Sequence, residues 1–285
     1  MENPLQIREM RPDEIGLAID WAAKEGWNPG LDDAASFAAA DPQGFLIGLI
    51  DDQPAAVISA VPYGGGFAFV GCYIVAPEFR GRGFGWRIWQ AAMHRLSGRN
   101  VGLDGVVAQQ DNYRRSGFCL AHRNIRFAGK AGQLSDSLTP AMSIEMIHSQ
   151  NFSSIADYDA RFFADDRSAF LRAWIAQPRA QGLVIKQAGA IVGYGLLRAC
   201  RQGYKFGPLF ADTPLYAEAI FQRLGAAIPV GSDVYLDVPA CNPEAVGLAE
   251  RHGLNPVFET ARMYTRGEPE ISIARTYGIT TFELG

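Results

Sequence analysis

Cysteine is scarce in this chain of 285 residues, and its four copies, Cys72, Cys119, Cys200 and Cys241, lie far apart. None forms a Cys-x-x-Cys pair, the spacing that a zinc ribbon or a redox dithiol would use. Cys119 and His122 look like half of a metal site, but no second half follows, so buried free thiols and no metal are expected. Long apolar runs are missing as well. No stretch reaches the roughly 18 uninterrupted apolar residues of a membrane-spanning helix. The opening MENPLQIREMRPDE has no apolar core like that of a signal peptide, so a cytoplasmic protein without a membrane partner is expected. Charge of one sign is also lacking. A net charge of −4 argues against nucleic acid as the main partner, because binding a phosphate backbone calls for a basic surface.

What remains is an ordinary globular composition, 48% hydrophobic and 20% charged, at a length that favours two domains. The chain is organised around residues 67 to 98. Phe67 to Val75 is an almost unbroken apolar run with β-branched and aromatic members, expected as a strand buried on both faces. Pro77 ends it. From Trp86 the positions Trp86, Trp89, Ala92, Met93 and Leu96 recur at helical spacing, and Gly98 is a natural stop. Between them stands Arg80-Gly81-Arg82-Gly83-Phe84-Gly85. Its glycines let the main chain turn tightly and approach a ligand closely, while the following helix points its positive end at the same place. With two arginines added, this is a cradle for a pyrophosphate.

The nucleotide is narrowed by spacing. A phosphate-loop NTPase needs Gly-Lys-Ser/Thr, whereas Trp86 and Arg87 follow Gly85 here. The dinucleotide fingerprint needs a different glycine spacing after a first strand. Ile74-Val75-Ala76-Pro77-Glu78-Phe79 followed by Arg80-x-x-Gly83-x-Gly85 instead resembles the acyl-CoA loop of the GNAT superfamily of N-acyltransferases. That resemblance implies acetyl-CoA as the coenzyme. It implies contacts from Ile74, Val75, Arg80, Gly81, Arg82, Gly83, Phe84, Gly85 and Asn112. It also implies an α/β (α+β) fold, a mixed and mostly antiparallel sheet flanked by helices.

The flanking pattern agrees with such a fold. Leu5 to Met10 reads as an entry strand, Pro12 to about Lys24 as a helix, and Asp32 or Asp33 as the cap of a second helix through Ala40. Strands are expected at Gly44–Ile50, Ala55–Val61, Asn100–Val107 and Ala121–Phe127, with a linker from Ala128 to Pro140. Tyr113 stands four residues before Gly117-Phe118. In GNAT proteins a tyrosine so placed sits beside the coenzyme's sulfur, which implies a general acid; otherwise it closes a short helix half-buried.

The second half carries the same landmarks. Leu103-Asp104, Gly117-Phe118 and Arg126-Phe127 are answered by Leu236-Asp237, Gly253-Leu254 and Arg262-Met263. Strands at Gly182–Gln187 and Ile191–Arg198 answer the earlier pair, a further strand falls at Ile144–Ile147, and Asp157–Ala176 reads as one helix. A second GNAT-like module is therefore expected, with domains at 1–130 and 142–285. The central strand Lys205–Phe210 leads through Ala211-Asp212-Thr213-Pro214 with no glycine cradle, and Ala249 takes the place of Tyr113. This module is read as degenerate, covering the first. The whole pattern, with its ending Tyr-Gly-Ile-Thr-Thr-Phe-Glu-Leu-Gly, resembles bacterial tandem GNAT proteins.

The expected reaction moves an acetyl group to the amine of a small polar acceptor by direct attack, with Tyr113 protonating the leaving thiolate. Glu25, Asp32 and Asp104 are candidates for a base, although positioning alone can supply much of the rate. The loop holding Glu25, Trp27, Asn28 and Asp32 is the local candidate for acceptor binding, with Trp27 either touching acceptor or anchoring the loop. Asp237, Asn242 and Arg262 are candidates from the second module. A non-catalytic acyl-CoA sensor and a protein N-acetyltransferase are the alternatives, and the sequence is compatible with a homodimer.

Overall fold

The structure, a computed structural model, describes residues 5–132 and 143–285. The first half runs β1 (Gln6–Glu9), α1 (Ile15–Lys24), α2 (Asp33–Ala40), β2 (Phe45–Ile50), β3 (Gln53–Tyr63), β4 (Phe67–Val75), α3 (Phe84–Arg95), β5 (Asn100–Val106), α4 (Gln110–Arg115) and β6 (Cys119–Lys130). The second half repeats that order as β7 (Ser143–Met146), α5 (Phe152–Asp159), α6 (Ser168–Ile175), β8 (Ala180–Gln187), β9 (Ala190–Ala199), β10 (Tyr204–Ala211), α7 (Pro214–Gly225), β11 (Asp233–Pro239), α8 (Pro243–Arg251) and β12 (Asn255–Tyr264). A short β13 (Thr276–Gly278) follows. The repeat is complete, element for element.

The two halves share one sheet. Its order is β1-β2-β3-β4-β5-β12-β6-β11-β10-β9-β8-β7, with β13 paired to β10. Most neighbours are antiparallel, and the parallel pairs are β4–β5 and β10–β11. At the centre the last strands change places: β12 of the second half lies between β5 and β6, and β6 lies between β12 and β11. Each half thus completes its sheet with a strand from the other.

The helices before the central strands meet across the same seam. Phe37 of α2 stacks on Trp174 of α6 with ring centroids 6.1 Å apart, and one apolar cluster draws residues from both halves. Fully burying such side chains stabilises by roughly 1.5–3 kcal/mol each. Buried ion pairs cross the seam too: Arg126 reaches Asp237 with both contacts at 2.7 Å, and Arg198 binds Asp33.

Several expectations are corrected. The helix expected over Asp157–Ala176 is two helices, because Phe162 and Phe163 dive into the core between them and Arg167 folds back onto Asp159 at 2.7 Å. The linker expected from Ala128 begins as strand, since Ala128–Lys130 pair with β11; residues 133–140 lie outside the described residues. Asp32 does not cap α2 through its side chain but binds Arg179, while Asp33 accepts from the Gly30 N–H. Trp86 is not on the buried face of α3, which is formed by Phe84, Ile88, Trp89 and Ala92. Cys72 and Cys200 are buried, but Cys119 and Cys241 are exposed.

Candidate active site

β4 and β5 run parallel over three residue pairs, Phe67–Asn100, Ala68–Val101 and Phe69–Gly102, and then diverge. The divergence is prepared by a bulge in β4. Val57 faces Ile74 but Ser59 faces Gly71, and Cys72 in between has a φ of 45°, outside the extended range. Between the splayed strand ends lies a cavity of about 550 Å³. Because it opens on β4, that strand is fully buried only in its first half.

One end of the cavity is the glycine loop. Gly81 and Gly83 have φ values of 76° and 79°, where a side chain would be strained, and no atom stands within 4 Å of a Cβ added at either. Gly83 caps α3, so the free N–H groups of its first turn face this loop. Gly85 packs against Tyr73, whose hydroxyl would be 2.7 Å from an added Cβ. Arg80 donates to the Val75 carbonyl at 2.9 Å and pairs with Glu25; Arg82 stacks on Phe79 and Phe84. Open backbone, a helix start and two cations fit a pyrophosphate-bearing coenzyme.

The walls are aromatic. Tyr113 is buried against Trp89, 5.5 Å between centroids, and its ring occupies the space above Gly105, where a Cβ would come within 2.3 Å. Burial pushes its phenol well above the usual tyrosine value, and nearby Tyr73 adds to the rise. The roof comes from the second half: Phe258 and Thr260 on β12, then Phe282 and Glu283.

Of the coenzyme residues expected from sequence, Ile74, Val75, Arg80, Gly81, Gly83, Phe84 and Gly85 line this cavity together with Tyr113. Arg82 and Asn112 are not among its lining residues; Asn112 bonds Gln109 and Arg115. Of the acceptor candidates, Glu25, Trp27 and Asp104 line it. Trp27 also packs on the core, as the loop-anchoring alternative expects. Asn28 is tied to Gln202 and Lys205, and Asp32 to Arg179. Asp237 is taken by Arg126. Burial alone would raise its carboxyl, but that guanidinium holds it below the usual range. Arg262 grips Asp104 (Nε–Oδ1 3.0 Å), which also accepts from Asn124 at 2.7 Å. Asn242 caps α8 and binds the Thr276 carbonyl at 2.9 Å, outside the cavity. Asn28, Asp32, Asp237 and Arg262 are thus engaged across the seam, and Asn242 within the second half. Phe258, Thr260, Phe282 and Glu283 were missed by sequence reasoning, because strand exchange leaves no local trace; a lone acid within an apolar ending was the one signal.

The equivalent cleft in the second half is filled. β10 and β11 pair over Tyr204–Val234 to Phe206–Leu236 and then diverge, but β13 pairs with β10 in the gap. The Ile279 N–H then donates to the Asp237 carbonyl at 2.9 Å. Ala249 occupies the place of Tyr113 in detail: the Leu254 N–H bonds its carbonyl at 3.0 Å as the Phe118 N–H bonds that of Tyr113 at 3.1 Å.

The comparisons agree with this architecture. The acetyltransferase (GNAT) family profile matches residues 12–118, and an acetyltransferase (GNAT) domain profile matches 155–278. Holothin acyltransferase from Pseudoalteromonas sp. (strain SANK 73390) is 30% identical over 273 residues, covering 96% of this chain and 92% of that protein. This chain therefore belongs to the GNAT acyltransferases and is a tandem member of that family. Among solved structures, a Pyrococcus horikoshii protein assigned provisionally to the acetyltransferases superposes with a TM-score of 0.80 at 21% identity, covering 100% of this chain and 99% of that one. A tandem GNAT protein from the clavulanic acid biosynthesis pathway gives 0.64 at 13%, covering 92% and 98%. At those identities the likeness is one of fold.

Proposed function

We propose that this chain is an acetyl-CoA-dependent N-acyltransferase that acetylates the amine of a small polar acceptor. The coenzyme-binding module is residues 1–130, and residues 142–285 form a cover with no coenzyme site of its own. The observation that carries this reading is the single walled cavity joining the glycine loop to Tyr113 under a roof from the second half. The loop from Arg80 to Gly85 would hold the pyrophosphate, with Arg82 and Asn112 as further candidates for its phosphates. Main-chain groups near Ile74 and Val75 would hold the pantetheine arm. Bound acetyl-CoA supplies an acyl carbon activated as a thioester. Tyr113, kept neutral by burial, donates a proton to the departing sulfur. The roof of Phe258, Thr260 and Phe282 favours a small molecule over a protein segment, which would need an open groove. Holothin, the acceptor in the relative's name, is the first amine to try.

Titration calorimetry with acetyl-CoA and thiol-release assays on amines test the proposal. One site per chain is expected, because β13 fills the second cleft. Gly83→Asp should weaken binding on the order of 10-fold or more, about 1.4 kcal/mol, by placing strain and negative charge in the cradle. Two equivalent sites, or unchanged affinity in the folded variant, would refute it.

A further inference from the structure

Three carboxylates line the cavity, and two are already committed: Glu25 to Arg80 and Asp104 to Arg262. The third, Glu283, is 4% exposed. Its Oε2 accepts from the Thr281 hydroxyl, while Oε1 is buried with no hydrogen-bond partner among the described residues. Leaving a buried polar atom unpaired costs about 1–3 kcal/mol, more for a charged group, so an unpaired carboxylate oxygen on a cavity-lining residue calls for a donor from the cavity's occupant.

The side chain is held there by its own backbone. The Glu283 carbonyl lies over Gly71 so closely that a Cβ would stand 2.1 Å from it. In the two residues that follow, Tyr63 donates to the Leu284 carbonyl at 3.2 Å and Arg167 to that of Gly285 at 3.1 Å. The ionisable groups that feel this carboxylate's charge are Cys72 from β4, Arg126 from β6 and Lys205 from β10. Both cations are engaged elsewhere, Arg126 with Asp237 and Lys205 with the Asn28 carbonyl at 2.9 Å.

We infer that Glu283 is the general base of this enzyme, delivered to the first module's cavity by the last segment of the second. The inference rests on the acyl-transfer reading above. The acceptor is a primary amine. Its nitrogen lone pair forms the C–N bond to the thioester carbonyl carbon, and the C–S bond breaks. The proton lost by nitrogen passes to a Glu283 oxygen, and the thiolate takes one from Tyr113. Proton exchange with solvent then resets both groups. Removing a catalytic base lowers rates roughly 10²–10⁴-fold.

The test uses the full chain, acetyl-CoA, and holothin or the fastest acceptor from a panel of amino sugars, polyamines and amino acids. Glu283→Gln, which keeps the shape, should lower kcat/KM for the acceptor on the order of 10²-fold while the calorimetric Kd for acetyl-CoA stays within about twofold. Formate should restore part of the rate to Glu283→Ala, which a purely structural role would not allow. Full activity in Glu283→Gln overturns the inference. So does a loss shared equally by acetyl-CoA binding, without formate rescue. If the variants do not fold, Thr281→Val supplies the second handle: it removes the donor to Oε2, and an unchanged kcat/KM for the acceptor in that folded variant overturns the role. Should the wild-type chain bind acetyl-CoA yet release no thiol with any amine, the acyl-transfer reading itself falls, and the base with it.

Discussion

At the scale of single residues, Tyr113 shows how packing prepares a side chain for the proton-donor role proposed for it. Its ring is clamped between Trp89, Phe118 and the space left by Gly105. Burial favours the neutral phenol, so the raised pKa keeps the proton on Tyr113, as the proposed role requires. Tyr113→Phe should lower kcat about 10²-fold with little change in acetyl-CoA affinity. The sign of the shift adds a second expectation: no alkaline loss of activity belonging to this tyrosine should appear below about pH 10, its reference value. Equal kcat in Tyr113→Phe would hand the proton to water or another group. Tyr113 was legible because its cue is local, four residues before Gly117-Phe118. The fates of Asp104 and Asp237 were not, because the arginines that claim them stand 158 and 111 residues away in sequence.

At the scale of elements, β4 carries the site, and its boundaries were readable from apolar composition and a terminal proline alone. The bulge at Cys72 was not, since it depends on how β3 lays against β4. The same holds for the exchange of β6 and β12. Their alternation tells each strand which face to bury but not which neighbour to choose, and β6 pairs with both β11 and β12. Gly71 is where these hidden features meet, at the bulge, in the cavity wall and under the Glu283 carbonyl. Gly71→Ala should push segment 279–285 off β4, costing about 1–3 kcal/mol in stability by overpacking. Acceptor turnover should fall further than acetyl-CoA affinity, because the glycine loop is untouched. Denaturant unfolding and calorimetry read both quantities. A variant with wild-type stability and turnover would show that the segment is not pinned at this point.

At the scale of the molecule, a duplicated fold has kept two clefts and specialised them differently. One holds a glycine loop, a tyrosine and a walled cavity; the other is filled by the chain's own β13, with alanine in the tyrosine's place. The segment that fills the second continues into the first and supplies part of its roof, so neither cleft is complete without residues 276–285. Strand exchange makes the dependence mutual. A fragment of residues 1–132 would lack β12 between β5 and β6, and a fragment of residues 143–285 would lack β6 beside β11. Each would expose unpaired strand edges together with the apolar face where Phe37 meets Trp174, surfaces that favour aggregation. The two fragments expressed alone should therefore be aggregated or unfolded. Co-expressed, they should assemble and recover acetyl-CoA binding, because the missing ladders are restored by pairing rather than by the covalent link. Size-exclusion chromatography with calorimetry on each sample decides the matter. A monomeric, folded 1–132 fragment that binds acetyl-CoA with the affinity of the whole chain would mean that the exchanged strand contributes nothing to the coenzyme site.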